Sequence, residues 1–301
     1  MFSLAPLRYS RALKSRGGPI EGLNHGPVTI QGKRLHQATA SLSRHLNLNR
    51  VENQIFANAD GTGTDASPMV ARHKAISEAL ERWAYHYINQ KGHRSLHGFK
   101  EDDTTSGMAA FPGLSRRPAR ELARLEAVER YCLVHWWSRW LGHQPLKTSI
   151  PGEHAIRIDN PISEAAVVLC WRTSPCGWTA YGTAAAPKPR SALWKATIEM
   201  ERAIAALEYF KQENPSFSEA DLPALTNHLE RRLLHFAMPS GQAAFVERLK
   251  MDTGTHGNTS PAPLVDGEIG GPWERYATVW RTLYPVRSRE HLNPGRLTFY
   301  W

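Results

Sequence analysis

Cysteine is nearly absent from this chain. Cys132, Cys170 and Cys176 are the three among 301 residues, odd in number and without CxxC spacing. Neither a disulfide framework nor a thiolate metal knuckle is suggested, and a reducing, cytoplasmic setting is expected. Long apolar runs are missing too. The longest, around Ala165 to Trp171, is strand-sized, and with a mean hydropathy of −0.46 no membrane span is expected. No acid precedes Glu21, whereas Arg8, Arg11, Lys14 and Arg16 fall in the first 20 residues, and Pro6 and Arg8 interrupt the apolar core that a secretory signal needs. That segment has the composition of an organellar presequence, and equally that of a basic docking arm. G-x-S-x-G, Walker A and dinucleotide fingerprints do not occur, which weighs against the hydrolases, P-loop and Rossmann enzymes that use them.

What is present is the composition of a folded protein: 41% apolar residues with 10 Trp, 9 Tyr and 9 Phe, enough for one large domain or two small ones and too aromatic for a disordered chain. The net charge of +9 and a pI near 9.6 favour anionic partners. The cations are scattered and form no run of five, so nucleic acid is not expected as a partner.

The main signal is a unit that occurs three times. Gly61 to Glu78 aligns without gaps on Gly182 to Glu199, with Gly61/Gly182, Thr62/Thr183, Pro68/Pro189, Ala71/Ala192, Lys74/Lys195, Ala75/Ala196 and Glu78/Glu199 identical. A further copy, second in chain order, lies between them. Its helix repeats Ala71, Ala75, Glu78, Glu81 and Arg82 as Ala119, Ala123, Glu126, Glu129 and Arg130, and Ser106 to Ala110 precede it as a small-residue loop. Each copy reads as a loop followed by a helix whose alanines, one turn apart, let that face approach another backbone closely.

The carboxylates at the end of that stripe have two readings. Glu78 with Arg82, and Glu126 with Arg130, have the (i, i+4) spacing of surface ion pairs worth a few tenths of a kcal/mol. Alternatively, three helices meeting through alanine faces gather Glu78, Glu81, Glu126, Glu129 and Glu199. Such a cluster calls for a hard cation such as Mg²⁺ bridging nucleotide phosphates, which Arg82, Arg130 and loop amides can also bind.

At these residues the sequence resembles the YcaO superfamily, ATP-dependent enzymes that activate peptide backbone amides during maturation of ribosomally made peptides. Gly61-Thr-Gly63 followed by Lys74-x3-Glu78-x2-Glu81-Arg82 is similar to its first signature. Ser106 to Ala110 leading to Glu126-x2-Glu129-Arg130 is similar to its second, and Gly182 to Glu199 to its third. The likeness covers roughly Asn58 to Phe210, with a weaker stretch near Tyr276 to Pro285. It implies ATP and Mg²⁺ as cofactors, with Glu78, Glu81, Glu126 and Glu129 on the metal and Lys74, Arg82, Arg130 and Glu199 at the nucleotide. Lys74, Pro118 and Arg202 depart from the family's serine, glutamate and glutamine; lysine can still contact phosphate, whereas proline cannot serve as a metal ligand. The chain also ends in Thr298-Phe-Tyr-Trp301 instead of a proline-rich tail.

The function implied is azoline, thioamide or amidine formation on a precursor peptide, with no catalytic residue named and a separate peptide-recognition protein as partner. The alternative is a scaffold or regulatory subunit that keeps the fold without ATP chemistry. The expected architecture is α+β, a single YcaO-like domain at 51–301 with mixed sheets packed on helices and three loop-helix pseudo-repeats, preceded by an arm and first strand region at 1–50. Helices are expected near Pro68–Gln90, Pro118–Leu141, Pro189–Gln212, Leu222–Ala237 and Gln242–Met251. Strands are expected near Val28–Gln31, Gln54–Ala57, Ala165–Thr173, Gly177–Tyr181 and Arg275–Leu283, and a long loop over Thr253–Pro272. His93 and His97 have metal spacing, but flanking glycines favour a loop. Trp136, Trp137 and Trp140 read as core or interface.

Overall fold

The computed structural model describes residues 4–46, 55, 58–90, 97–99, 105–251, 260–287 and 297–299. Along the chain these form α1 (Ala5–Ala12), β1 (Ile20–Ile30), β2 (Lys33–Leu42), β3 (Gly61–Asp65), α2 (Pro68–Gln90), β4 (Ser106–Phe111), α3 (Arg117–Trp137) and β5 (His143–Leu146). There follow β6 (His154–Ile158), β7 (Ala166–Thr173), β8 (Thr179–Ala186), α4 (Pro189–Glu213), α5 (His228–Ala237), α6 (Pro239–Lys250), β9 (Val265–Glu268) and β10 (Thr278–Leu283). They fall into two compact units. The first comprises Met1–Arg50, Asn58–Ala127 and Pro263–Tyr284; the second comprises Val51–Ala57, Val128–Ala262 and Pro285–Trp301, so the division falls within α3.

The first unit holds two three-stranded sheets, ordered β1-β2-β3 and β4-β10-β9. Its core is an alanine face on α2, with Ala71, Ala75 and Ala79 fully buried, closed by Trp83 and Tyr87 edge-on to Trp273. Residues 4–46, expected as an arm with a first strand, form a helix and a hairpin. Tyr9 of α1 is buried, its hydroxyl bonded to Ser77 of α2, and the hairpin turns through Gln31 and Gly32, both at positive φ as a two-residue connection requires.

The second unit is built on the sheet β5-β6-β7-β8. Ala192, Ala196 and Met200 of α4 are buried with the small residues of β7 and β8 in one core cluster. Tyr181 of β8 instead meets Phe245 and Phe299, and its hydroxyl donates to the Phe236 carbonyl. The Trp-rich end of α3 is interior: Trp136 has no exposed surface, Trp137 stacks on Phe299, and the buried Arg248 lies over Trp136 while donating to its carbonyl at 2.6 Å. Burial pushes the Arg248 guanidinium down to about 10.

Several expectations need correcting. Mixed sheets were expected, whereas every ladder between strands among the described residues is antiparallel. The small-residue loop that opens each repeat is a strand, β3, β4 or β8. Glycine there answers a close approach between strand and helix, which the sequence alone does not separate from a turn. A Cβ at Gly61 would stand 2.1 Å from the Ala75 carbonyl oxygen, one at Gly107 would stand 2.1 Å from that of Ala123, and one at Gly182 would stand 2.0 Å from that of Ala196. The alanine faces therefore pack on the strands of their own repeats. The helix expected over Leu222–Ala237 is a 3-10 turn, Glu219–Ala224, followed by α5, whose new start Asn227 caps through Leu229 and Glu230. Most of the strand expected at Gln54–Ala57, His93, residues 253–259, Tyr300 and Trp301 lie outside the described residues.

Candidate functional site

β3, β4 and β8 share a topological position: each is the terminal strand of its sheet, with one edge of amides that no strand among the described residues takes up. Carboxylates of the repeat helices occupy those edges. In the first unit, the Thr62 amide donates to Glu78 Oε2 at 2.8 Å and the Thr62 hydroxyl to the same oxygen at 3.2 Å. Arg82 holds the other oxygen at 3.2 Å. At the matching place in the second copy, the Met108 amide donates to Glu126 Oε2 at 2.9 Å. Each acid thus reaches back to the residue after the glycine of its own strand. Glu81 lies half-buried on α2.

Lys74 is turned elsewhere. Its ammonium donates to the Thr64 carbonyl at 3.0 Å and pairs with Asp65 at 2.8 Å. Burial acts to raise the Asp65 carboxyl, but hydrogen bonds from Lys74 and the Ser67 amide outweigh it and leave Asp65 below its ordinary value.

In the second unit the acids divide differently. Glu129 bridges two donors of β8, accepting from the Thr183 hydroxyl at 2.6 Å and the Ala185 amide at 2.9 Å. Glu199, the counterpart of Glu78, instead holds Arg202 through both oxygens at 2.8 and 3.0 Å, with half of its side chain exposed. Thr183, the counterpart of Thr62, is thereby served by the acid of the preceding repeat. Arg130, half-buried, follows Glu129 on α3.

By donor chemistry this set fits magnesium. Mg²⁺ takes oxygen ligands, a hydrogen-bonded carboxylate keeps spare lone pairs, and an amide that fixes its orientation is the ordinary support for a ligating acid. By placement, no three His, Cys, Asp or Glu side chains among the described residues are arranged to share one ion. Glu78, Glu126 and Glu129 lie against strand amides, and Glu199 against Arg202. The sequence had singled out Glu78, Glu81, Glu126, Glu129 and Glu199, but not Thr62, Met108, Thr183 and Ala185, which anchor three of them. The one signal for those was the Gly-Thr pair shared by the first and third copies.

A separate cleft of about 420 Å³ in the second unit, lined by Trp171, Tyr181, Phe245, His154 and Thr173 among others, contains none of these residues. Cys132 and Cys170 are buried and their thiols pushed up by desolvation, which suits packing and not nucleophilic chemistry. Among the described residues no helix is long and apolar enough to cross a membrane.

No family model and no curated protein matches the chain. Solved structures do. A YcaO from Methanopyrus kandleri, bound with AMPPCP and Mg²⁺, aligns over 98% of this chain and 92% of its own at a TM-score of 0.57 and 11% identity. A chain of the E. coli microcin synthetase McbBCD complex aligns over 87% of this chain and 86% of its own, with a TM-score of 0.52 and 11% identity. The chain has a YcaO-like fold.

Proposed function

We propose that this protein is an ATP- and magnesium-dependent enzyme that activates backbone amides of a ribosomally made peptide. The observation that carries the reading is the repeated setting of Glu78 and Glu126, each fixed by the amide after a strand glycine and each followed one turn later by arginine, Arg82 or Arg130. A structure of the same fold holds a nucleotide analogue with Mg²⁺, which supports it.

In this reading Glu78, Glu81, Glu126 and Glu129 hold magnesium, while Lys74, Arg82, Arg130 and Glu199 line the nucleotide. ATP with magnesium supplies the phosphoryl group that turns an amide oxygen, after a nucleophile has added to its carbon, into a leaving group. The chain's part is positioning and charge: strand amides orient the acids, and the arginines face developing negative charge. A second protein supplies peptide recognition, in keeping with the complex to which the microcin synthetase neighbour belongs.

The scaffold reading has its own support, since Lys74 is tied to Asp65 and Glu199 to Arg202. Calorimetry of Mg²⁺-dependent ATP binding, followed by turnover in the Glu81→Gln, Glu129→Gln double variant, separates the two. Loss of turnover with folding retained supports the enzyme; unchanged peptide maturation in the producing cell leaves the scaffold. The mass of the mature peptide then identifies the product, because azoline and amidine formation remove a water and thioamidation exchanges oxygen for sulfur.

A further inference from the structure

Residues 4–46 carry seven Lys and Arg side chains against one acid, Glu21, a net +6 in a chain of net +9. The fold arranges several of these charges at the two ends of β1. Lys14 pairs with Glu21 at its start, and Arg44 lies beside the same carboxylate, which these contacts hold below its ordinary value. Lys33 and Arg34 stand opposite Ile30 and Thr29 at its end. Arg11, Arg16, Arg34 and Arg44 are exposed.

β1 is also the terminal strand of its sheet. It pairs with β2 in unbroken register from Gly22 to Ile30, the one irregularity lying between Ile20 and Gly22. The two-residue turn closes on the pair Ile30 and Lys33, and in such a hairpin that pair exchanges both hydrogen bonds. Alternation then turns the main-chain groups of Thr29, Pro27, His25 and Leu23 away from β2. Pro27 agrees, since a strand proline belongs where no ladder donor is needed. Among the described residues, the isolated bridge between Leu13 and Ile20 is the one pairing at β1 outside the β2 ladder.

We infer that the outer edge of β1 receives an extended acidic segment of a protein partner as an added strand. The outward amides of Leu23, His25 and Thr29 set its register, and cations at both ends, separated by about 30 Å of strand, meet its carboxylates. A second copy of this chain brings the same positive charge to the edge and is repelled. Nucleic acid fits less well, because the exposed residues of β1 include no Phe, Tyr or Trp on which a base stacks. The inference rests on charge and edge geometry and is independent of the ATP reaction proposed above.

The test uses the full chain and a synthetic peptide of roughly ten residues that alternates Glu with Thr and Val. Hydrogen exchange is read at Leu23, His25 and Thr29. Saturable binding should slow exchange at these three amides and weaken about tenfold or more from low to high salt. The His25→Pro variant removes an outward donor as Pro27 does and should bind about tenfold more weakly with its melting profile kept. N-methylation of the peptide at alternate residues removes the reciprocal bonds, from peptide amides to the outward carbonyls of β1, without touching the protein, and should abolish binding. Binding that leaves the three amides unprotected, equal binding by a peptide with Lys in place of Glu, or protection of the same amides by single-stranded RNA would overturn the proposal. So would protection in the peptide-free chain that grows with protein concentration, the mark of a second copy on the edge.

Discussion

The first and third copies of the repeat share seven identical residues, yet their acids do different work. Glu78 turns inward to the edge of β3, while Glu199 lies half-exposed on Arg202. The place that Glu199 leaves at β8 is filled by Glu129 of the middle copy. At residue 202 the third copy has arginine where the first has Glu81, and this arginine holds both oxygens of Glu199, whereas Arg82 leaves one oxygen of Glu78 to the strand. Sequence identity between repeats thus preserved the packing of strand on helix and not the destination of the charge.

The packing should be the hardest part to alter. Gly61→Val, Gly107→Val and Gly182→Val each place a branched side chain against helix backbone that cannot yield, and each should cost about 3 kcal/mol or more, or prevent folding. Denaturant unfolding checks this. If Gly182→Val is tolerated while Gly61→Val is not, the copies are not equivalent even in packing.

Smaller effects should separate the acids. Glu129→Ala leaves the Ala185 amide without its partner and should cost about 1–3 kcal/mol. Glu199→Ala removes an exposed (i, i+3) pair and should cost no more than about 0.5 kcal/mol. Equal losses in the two variants would show that the inward and outward acids do not differ in the way described.

The smallest contrast is one of pH. His143, His228 and His235 in the second unit, and His73 in the first, are held below the ordinary imidazole range chiefly by burial. The unfolded chain therefore binds protons at these sites at a higher pH than the folded one. Their contribution is fully present above about 6.5 and is lost as the pH falls below it, until the folded groups protonate as well. With three such groups against one, hydrogen-exchange protection should decline more in the second unit than in the first on acidification from neutral to mildly acidic pH.

The helices were legible because their signals are local. Proline at the start and alanine every fourth residue placed α2 over Pro68–Gln90 and α4 over Pro189–Glu213, within a residue of the expected ends. The repeat, the alanine faces and the α+β class followed from the same spacings, and the motifs at those positions resemble those of the YcaO superfamily. The strands β3 and β4 were not legible, because Gly-Thr-Gly-Thr and Ser-Gly-Met-Ala-Ala carry no alternation of apolar and polar residues. Their strand character comes from pairing with β2 and with β10, the latter far along the chain. The acids were visible as a spacing, but their partners were not. Whether a glutamate accepts from the strand of its own repeat, from that of the next, or from a neighbouring arginine depends on which edge amide lies within reach. A sequence fixes the order of such groups along the chain, and tertiary packing alone sets the few ångströms that choose among them.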